Sequence, residues 1–306
     1  EDMTPCIACL QGCVANMYAG NPVCCLTNPF LGHEAEPLEK AEEPKKVMVI
    51  GGGVAGLSAA FIAKERGHEV TLYEAGDILG GNMRLAAYPP GKGDITNMIR
   101  SYIHRCQKDG VKIVMNCEVT PELIKDEKPD SVIIATGSKT LILPIEGIDN
   151  PAIIHGSDLL DGKRAAGKKV LVVGGGMVGC ETAAFLGEQE HDVTVIEFRD
   201  TVGADVIHEH RVYLMKDFED YGIKEITGAK VCKFYEDGVE YETADGVRHE
   251  SRGYDSVILS MGFRNYNPLE EKIKDLVPET HVIGDAIRAR RALDATKEAY
   301  EVASRI

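Results

Sequence analysis

Twice along this chain a four-residue apolar run meets a cluster of glycines and then an alanine-rich stretch of helical periodicity. The first passage is KKVMVIGGGVAGLSAAFIAKERGHEVTLYE, from Lys45 to Glu74; the second is KKVLVVGGGMVGCETAAFLGEQEHDVTVIE, from Lys168 to Glu197. Each reads as a buried β-branched strand, a tight turn, an amphipathic helix and a second strand ending in glutamate. A later apolar strand closes each copy, PDSVIIATG in the first and YDSVILSMG in the second. Gly51 precedes Gly137 by 86 residues, and Gly174 precedes Gly262 by 88. Such agreement over this length predicts two homologous domains, each with a parallel sheet because strands alternate with helices.

Between these landmarks the copies correspond again. Helices are expected over 96–108 and 205–221, followed by the strands GVKIVMN and YGIKEIT. The second copy adds FYEDGVEYETADGVRHES, whose two Asp-Gly pairs between alternating residues predict a small antiparallel layer. The final thirty residues, from Val277, are expected to add a strand and a closing helix to the first domain, making it discontinuous. The charged, proline-punctuated stretch 34–46 reads as an exposed linker. The expected division is a cysteine loop over 1–34, a linker over 35–46, a first domain over 47–160 plus 265–306, and a second over 161–264.

A lone G-x-G-x-x-G is weak. Here it occurs twice, each time between a predicted strand and helix, with a glutamate 23 positions after the first glycine. That context is the dinucleotide fingerprint. Gly51 and Gly174 permit the turn, and Gly53 and Gly176 let the backbone approach a pyrophosphate at the helix N-terminus. Gly56 and Gly179 let that helix pack on its strand, and Glu74 and Glu197 would accept from a ribose diol. A carboxylate at Glu197 opposes a 2′-phosphate, so NADH is expected over NADPH, with Arg199 the residue that could offset this.

The first 34 residues hold Cys6, Cys9, Cys13 and Cys25. Three thiols within eight residues and a fourth after eleven more suit an iron–sulfur cluster. Zinc is the main rival and a disulfide the lesser one. A nicotinamide gives up two electrons together whereas a cluster passes them singly, and flavin can do both. The two turns are therefore read as FAD in the first copy, nearer the cysteines, and NAD(H) in the second. Gly284 and Asp285, after a predicted strand, suit a helix start beside the flavin.

Composition narrows the field. A net charge of −15 excludes nucleic acid and anionic membranes as favoured partners. The apolar run from Val47 to Ala63 is short and broken by glycines, so it is a strand, turn and helix rather than a membrane span. Nine cysteines with no secretory segment before them suit a reducing, cytoplasmic setting. Glu1 is no initiator, and the cysteine loop begins at once; a processed protein or the later part of a longer one is expected. Cys106, Cys117, Cys180 and Cys232 are isolated and expected to be buried and inert. No paired cysteines follow either glycine turn, which excludes the redox disulfide of glutathione-reductase-like enzymes.

The run CIACLQGCVANMYAGNPVCCLTNP, with LGGN at Leu79–Asn82, IIATGS, VLVVGGGMVGCE and HVIGDAIRARRALDA, resembles the iron–sulfur flavoenzymes related to Old Yellow Enzyme. That family includes 2,4-dienoyl-CoA reductase, 2-enoate reductase and trimethylamine dehydrogenase. Its loop runs C-x2-C-x3-C-x11-C before Asn-Pro, which implies Cys25 rather than Cys24 as the fourth ligand of a [4Fe–4S] cluster. The resemblance implies an α/β fold of two Rossmann-like, disulfide-reductase-type three-layer domains behind a cluster loop. It implies FAD contacts along Ala55, Gly80, Gly81, Asn82 and Arg84, at Val119, and at Ala135, Thr136 and Gly137. The nicotinamide site would use Met177, Val178, Glu181 and Gly262 with its glycine turn. It further implies an N-terminal FMN-binding (β/α)8 barrel, which this sequence does not contain, as a domain or subunit partner. Electrons would pass from NADH to FAD, to the cluster, to FMN and on to an activated C=C bond. A homo-oligomer is a further expectation for such a full-length protein. The rivals are an amine-dehydrogenase-like member running electrons outward, a glutamate-synthase-small-subunit-like oxidoreductase, and a zinc-knotted nucleotide-binding protein.

Overall fold

The computed structural model describes residues 3–306. In chain order the elements are α1 (Val14–Tyr18), β1 (Lys46–Ile50), α2 (Val54–Glu65), β2 (Glu69–Tyr73), α3 (Asn82–Leu85), α4 (Ile95–Lys108), β3 (Lys112–Val114), α5 (Pro121–Glu127) and β4 (Ser131–Ile134). Then come β5 (Ser138–Thr140), β6 (Ile154–His155), α6 (Gly156–Leu160), β7 (Lys169–Val173), α7 (Met177–Glu188), β8 (Asp192–Ile196), α8 (His208–Asp220) and β9 (Lys224–Ile226). The chain finishes with β10 (Lys230–Tyr235), β11 (Gly238–Glu242), β12 (Arg248–Arg252), β13 (Ser256–Leu259), β14 (Phe263–Asn265), α9 (Glu270–Ile273), β15 (Glu279–Val282) and α10 (Ala292–Ala303).

Two compact units result. The first comprises 1–87, 94–139 and 264–306; the second comprises 88–93 and 140–263. Residues 140–160, expected with the first domain, lie in the second because β6 pairs in parallel with β13. Residues 88–93 also lie there.

Each unit is built on a five-stranded sheet, β15-β4-β1-β2-β3 in the first and β6-β13-β7-β8-β9 in the second. All pairings in both are parallel. Both faces of a parallel sheet are covered, so its strands are apolar throughout. In β1, Val47 and Val49 enter one core while Met48 and Ile50 enter another. In β7, Val170 and Val172 face one core, and Leu171 and Val173 the opposite one. The same period-2 division therefore builds three layers twice.

In the first unit α2 fills one face, with Val54 through Ala63 all buried, and α10 packs on it. That helix is apolar all round rather than amphipathic, the state expected of one enclosed by a sheet and a second helix. α4 is the amphipathic one, burying Ile95, Met98, Ile99, Tyr102 and Cys106. In the second unit the three-stranded antiparallel layer β10-β11-β12 covers the face opposite α7, through Phe234 and Val239. The helix expected from residue 205 starts instead at His208, because Asp205 is engaged elsewhere.

Candidate functional site

Both glycine turns are set by the same constraints. Gly51 has φ +109° and Gly174 +105°, left-handed values that favour glycine. A Cβ at Gly51 would lie 2.3 Å from the Ala135 carbonyl oxygen, and one at Gly174 would lie 2.3 Å from that of Ser260. The late strands thus cross directly beneath the turns. A Cβ at Gly56 would come within 1.9 Å of the Gly51 oxygen, and one at Gly179 within 1.8 Å of the Gly174 oxygen. These clashes are with backbone and cannot be relieved by a rotamer.

The glutamates ending β2 and β8 brace these turns. Glu74 accepts from the Gly52 N–H through Oε2 and from the Gly76 N–H through Oε1, each at 2.7 Å. Glu197 accepts from the Gly175 N–H at 2.5 Å and from the Arg199 N–H at 2.9 Å. A carboxylate offers about four lone-pair sites, so each keeps acceptor capacity for a ribose diol.

In the first unit other expected residues gather around Gly53, where a built Cβ meets nothing within 4 Å. The Gly80 N–H donates to the Gly52 carbonyl at 2.8 Å, and a Cβ at Gly81 would sit 3.2 Å from the Gly53 Cα. Asn82 donates to the Ser138 carbonyl at 3.3 Å, and the Ser138 hydroxyl donates to Asp285 at 2.8 Å. Gly284 packs on Ala55, a built Cβ lying 3.1 Å from the Ala55 Cβ. Thr136 donates to the Tyr266 carbonyl, and the Tyr266 N–H returns to Gly137. Arg84 lies in α3, next to this group in sequence. Val119 stands apart, buried with Met48, Ile50 and Tyr73. From its loop it is Cys117 that reaches Glu74, its N–H donating to the Glu74 main-chain oxygen at 2.9 Å.

In the second unit Gly176, Met177, Val178 and Gly179 open α7, and Glu181 is buried on it. Lys92 pairs with the Glu181 carboxylate. Sequence reasoning missed Lys92, because nothing local ties residues 88–93 to a helix ninety positions on. Gly262, with φ +102°, accepts from the Leu141 N–H at 2.9 Å. Phe198, next to Glu197 in sequence, is an exposed aromatic.

The cysteine loop belongs to the first unit and is fastened to it. The Tyr102 hydroxyl donates to the carbonyls of Leu26 and Thr27, and Phe30 meets Tyr300 edge-on at 5.6 Å. Cys6, Cys9, Cys13, Cys24 and Cys25 line one cavity of ≈ 40 Å³ with Ile7, Leu26 and Thr27. Burial raises the Cys9 thiol pKa; the Gln11 backbone bond opposes this, while the Cys25, Cys13 and Cys6 sulfurs add to it. Cys24 is held aside, its sulfur accepting from Asn16 at 3.4 Å. Ala8 and Leu10 carry φ +51° and +55°, conformations that cost about 1–3 kcal/mol each and persist only where surroundings impose them. Among the described residues no three Cys, His, Asp or Glu side chains converge as on a single ion. A cluster presents a separate iron to each thiolate, so its ligands stand farther apart than the four around one Zn²⁺, bonded at about 2.3 Å. Thiols lining one cavity are the donor type that an iron–sulfur cluster or a Zn²⁺ ion takes.

The remaining thiols divide. Cys106 and Cys180 are buried, which pushes both up to about 12. Cys117 and Cys232, expected to be buried as well, are only partly so.

Two braced glycine turns, each on its own parallel sheet, define a flavoprotein oxidoreductase that uses FAD and a nicotinamide dinucleotide. Residues 45–281 match the pyridine nucleotide-disulphide oxidoreductase family, and the chain belongs to it. It is 34% identical over 310 residues to a cinnamate reductase of Clostridium sporogenes, covering 100% of this chain and 46% of that protein. It is 32% identical over 337 residues to a metal reductase of Desulforamulus reducens, covering 99% and 50%. Among solved structures, a 2-naphthoyl-CoA reductase complex superposes with a TM-score of 0.94 at 33% identity, over 100% of this chain and 47% of that one. The chain thus spans about half the length of the relatives it matches. The resemblance to the FAD- and NAD-binding part of the iron–sulfur flavoenzymes holds throughout.

Proposed function

We propose that this chain is the electron-input part of an NADH-dependent iron–sulfur flavoenzyme whose remaining half, an FMN-binding barrel, reduces activated C=C bonds. In this reading FAD, when bound, would supply the step from the electron pair of NADH to single electrons, and a bound cluster would supply one-electron transfer toward FMN. The observation that carries it is the presence, in one unit, of both a braced dinucleotide turn and a cavity lined by five cysteines, the four of the spaced motif among them. Gly53 leaves the backbone open to the FAD pyrophosphate, Glu74 receives the ribose, and Asn82 and Asp285 stand along the same groove. Cys6, Cys9, Cys13 and Cys25 would hold a [4Fe–4S] cluster, with Tyr102 fixing the loop. The second turn takes the nicotinamide dinucleotide, Glu197 receiving its ribose.

Glu197 also supports NADH over NADPH. Its carboxylate is pinned by two backbone N–H groups and cannot swing away from a 2′-phosphate. That phosphate adds about −1.5 to −2 charge, and each unit at ~4 Å costs roughly 4 kcal/mol at an effective dielectric near 20 before screening. The expected kcat/KM preference for NADH is at least about tenfold, which needs only ~1.4 kcal/mol of that. A reducing, cytoplasmic setting follows from cluster thiols.

Anaerobically purified protein is the test. It should be brown, hold FAD with about four irons per chain, and reduce artificial dyes with NADH. A colourless, zinc-loaded protein would overturn the proposal.

A further inference from the structure

The duplicated turns differ at one equivalent position, and the difference is a charge. In both copies a glycine 29 positions after the first turn glycine, Gly80 or Gly203, donates its N–H to the second turn glycine. The distances are 2.8 Å to the Gly52 oxygen and 2.7 Å to the Gly175 oxygen. This bond pins the following loop against the turn and fixes where the residue two places on must lie. That residue is Asn82 in the first copy and Asp205 in the second.

Asn82 is neutral and turns its amide to Ser138. Asp205, itself exposed, turns its carboxylate to the start of α7. Its Oδ1 accepts from the N–H of Met177, the first residue of α7, at 2.9 Å. A Cβ built at Gly176 would meet the Asp205 oxygens at 3.4 and 3.5 Å, whereas one built at Gly53 meets no atom within 4 Å. The first N–H groups of such a helix and the space over the middle glycine are what a dinucleotide pyrophosphate uses. In the second unit a carboxylate of the chain itself already stands there.

We propose that Asp205 is a displaceable internal anion that weakens pyrophosphate binding at the second turn, so this site exchanges its nucleotide while the first retains its own. The inference rests on the reading of the second turn as a nicotinamide dinucleotide site. An entering nucleotide must take the Met177 N–H from Asp205 and tolerate a like charge nearby. At the first turn, among the described residues, no carboxylate oxygen stands within 4 Å of the position over Gly53. A prosthetic group and a substrate thus share one fold, and a single carboxylate distinguishes them.

The test uses FAD-loaded protein and calorimetric titration with ADP-ribose and with adenosine, which lacks the pyrophosphate. Asp205→Asn gives the second copy the residue of the first, and Asp205→Ala vacates the position. Both should tighten ADP-ribose about tenfold, inside what a unit charge at hydrogen-bond range is worth after screening. Adenosine affinity should stay within about twofold, since the ribose carboxylate is untouched. Unchanged ADP-ribose affinity in both variants, with wild-type binding intact, would overturn this inference alone. Equal tightening of adenosine would overturn it too, by showing a general loosening of the site. If neither wild type nor variants bind ADP-ribose, the reading of the second turn falls with it.

Discussion

Gly53 and Gly56 stand in one turn, three residues apart, and alanine at each should fail in opposite ways. Gly53 has φ −74° and ψ −178°, which any residue adopts, and a Cβ there meets nothing within 4 Å. Alanine gains about 0.4–1 kcal/mol by restricting the unfolded chain and loses a similar ~0.5–1 kcal/mol as a poorer helix N-cap. The protein without FAD should therefore change by less than about 1 kcal/mol. Gly56→Ala drives a methyl to 1.9 Å from the Gly51 carbonyl oxygen, so strand, turn and helix must separate. Overpacking of this kind costs about 1–3 kcal/mol, and each kcal/mol lowers Tm by roughly 2–4 °C in a unit of this size. Calorimetry of the flavin-free variants and a flavin-fluorescence titration measure both quantities. Gly53→Ala should keep its Tm but bind FAD about 100-fold more weakly, a loss of ~2.8 kcal/mol, because the methyl takes the space of the pyrophosphate. Gly56→Ala should lose Tm first. The reasoning is refuted if Gly53→Ala unfolds as early as Gly56→Ala, or binds FAD like wild type.

Cys25→Ala should abolish the brown chromophore, while Cys24→Ala, whose sulfur is turned to Asn16, should retain it; iron analysis of both variants decides. Burial lowers the pKa of His68, whose Nδ1 accepts from the Lys45 N–H and whose Nε2–H donates to the Ile306 carbonyl. Protonation of Nδ1 destroys the first bond, so this contribution is complete above the unfolded-state value near 6.5 and declines as pH falls through the lowered folded value. Chemical denaturation from pH 7.5 to 5 should show the decline in wild type and a weaker one in His68→Gln. Lys92→Met should destabilise the second unit by about 1–3 kcal/mol, because the buried Glu181 carboxylate loses its cation. Lys92→Met/Glu181→Gln should recover part of this in a double-mutant cycle, and simple additivity would show that the pair is not coupled.

Much of this was legible in the residues because it is local and repeated. Strand, glycine turn, helix and glutamate lie within thirty positions, and the two copies constrain each other's reading. The packing of Gly56 on Gly51, and the path of Ala135 beneath it, follow from the motif because only glycine fits there. What escaped was set by partners distant in sequence. α2 looked amphipathic, yet α10, from the far end of the chain, covers its outer face. Residues 140–160 looked like a continuation of the first domain, yet β6 pairs with β13 a hundred positions later. Asp205 looked like the start of a helix, and only the loop bond from Gly203 turns it onto Met177. Lys92 carried no motif at all.

The central claim is that electrons from NADH reach iron held by the cysteine loop through the flavin of the first unit. Anaerobic titration with NADH, followed at once by visible absorbance and low-temperature electron paramagnetic resonance, tests it most directly. The account predicts that the flavin absorbance falls and that the signal of a reduced iron–sulfur cluster rises with it. Complete loss of flavin absorbance with no paramagnetic iron at any point would contradict it.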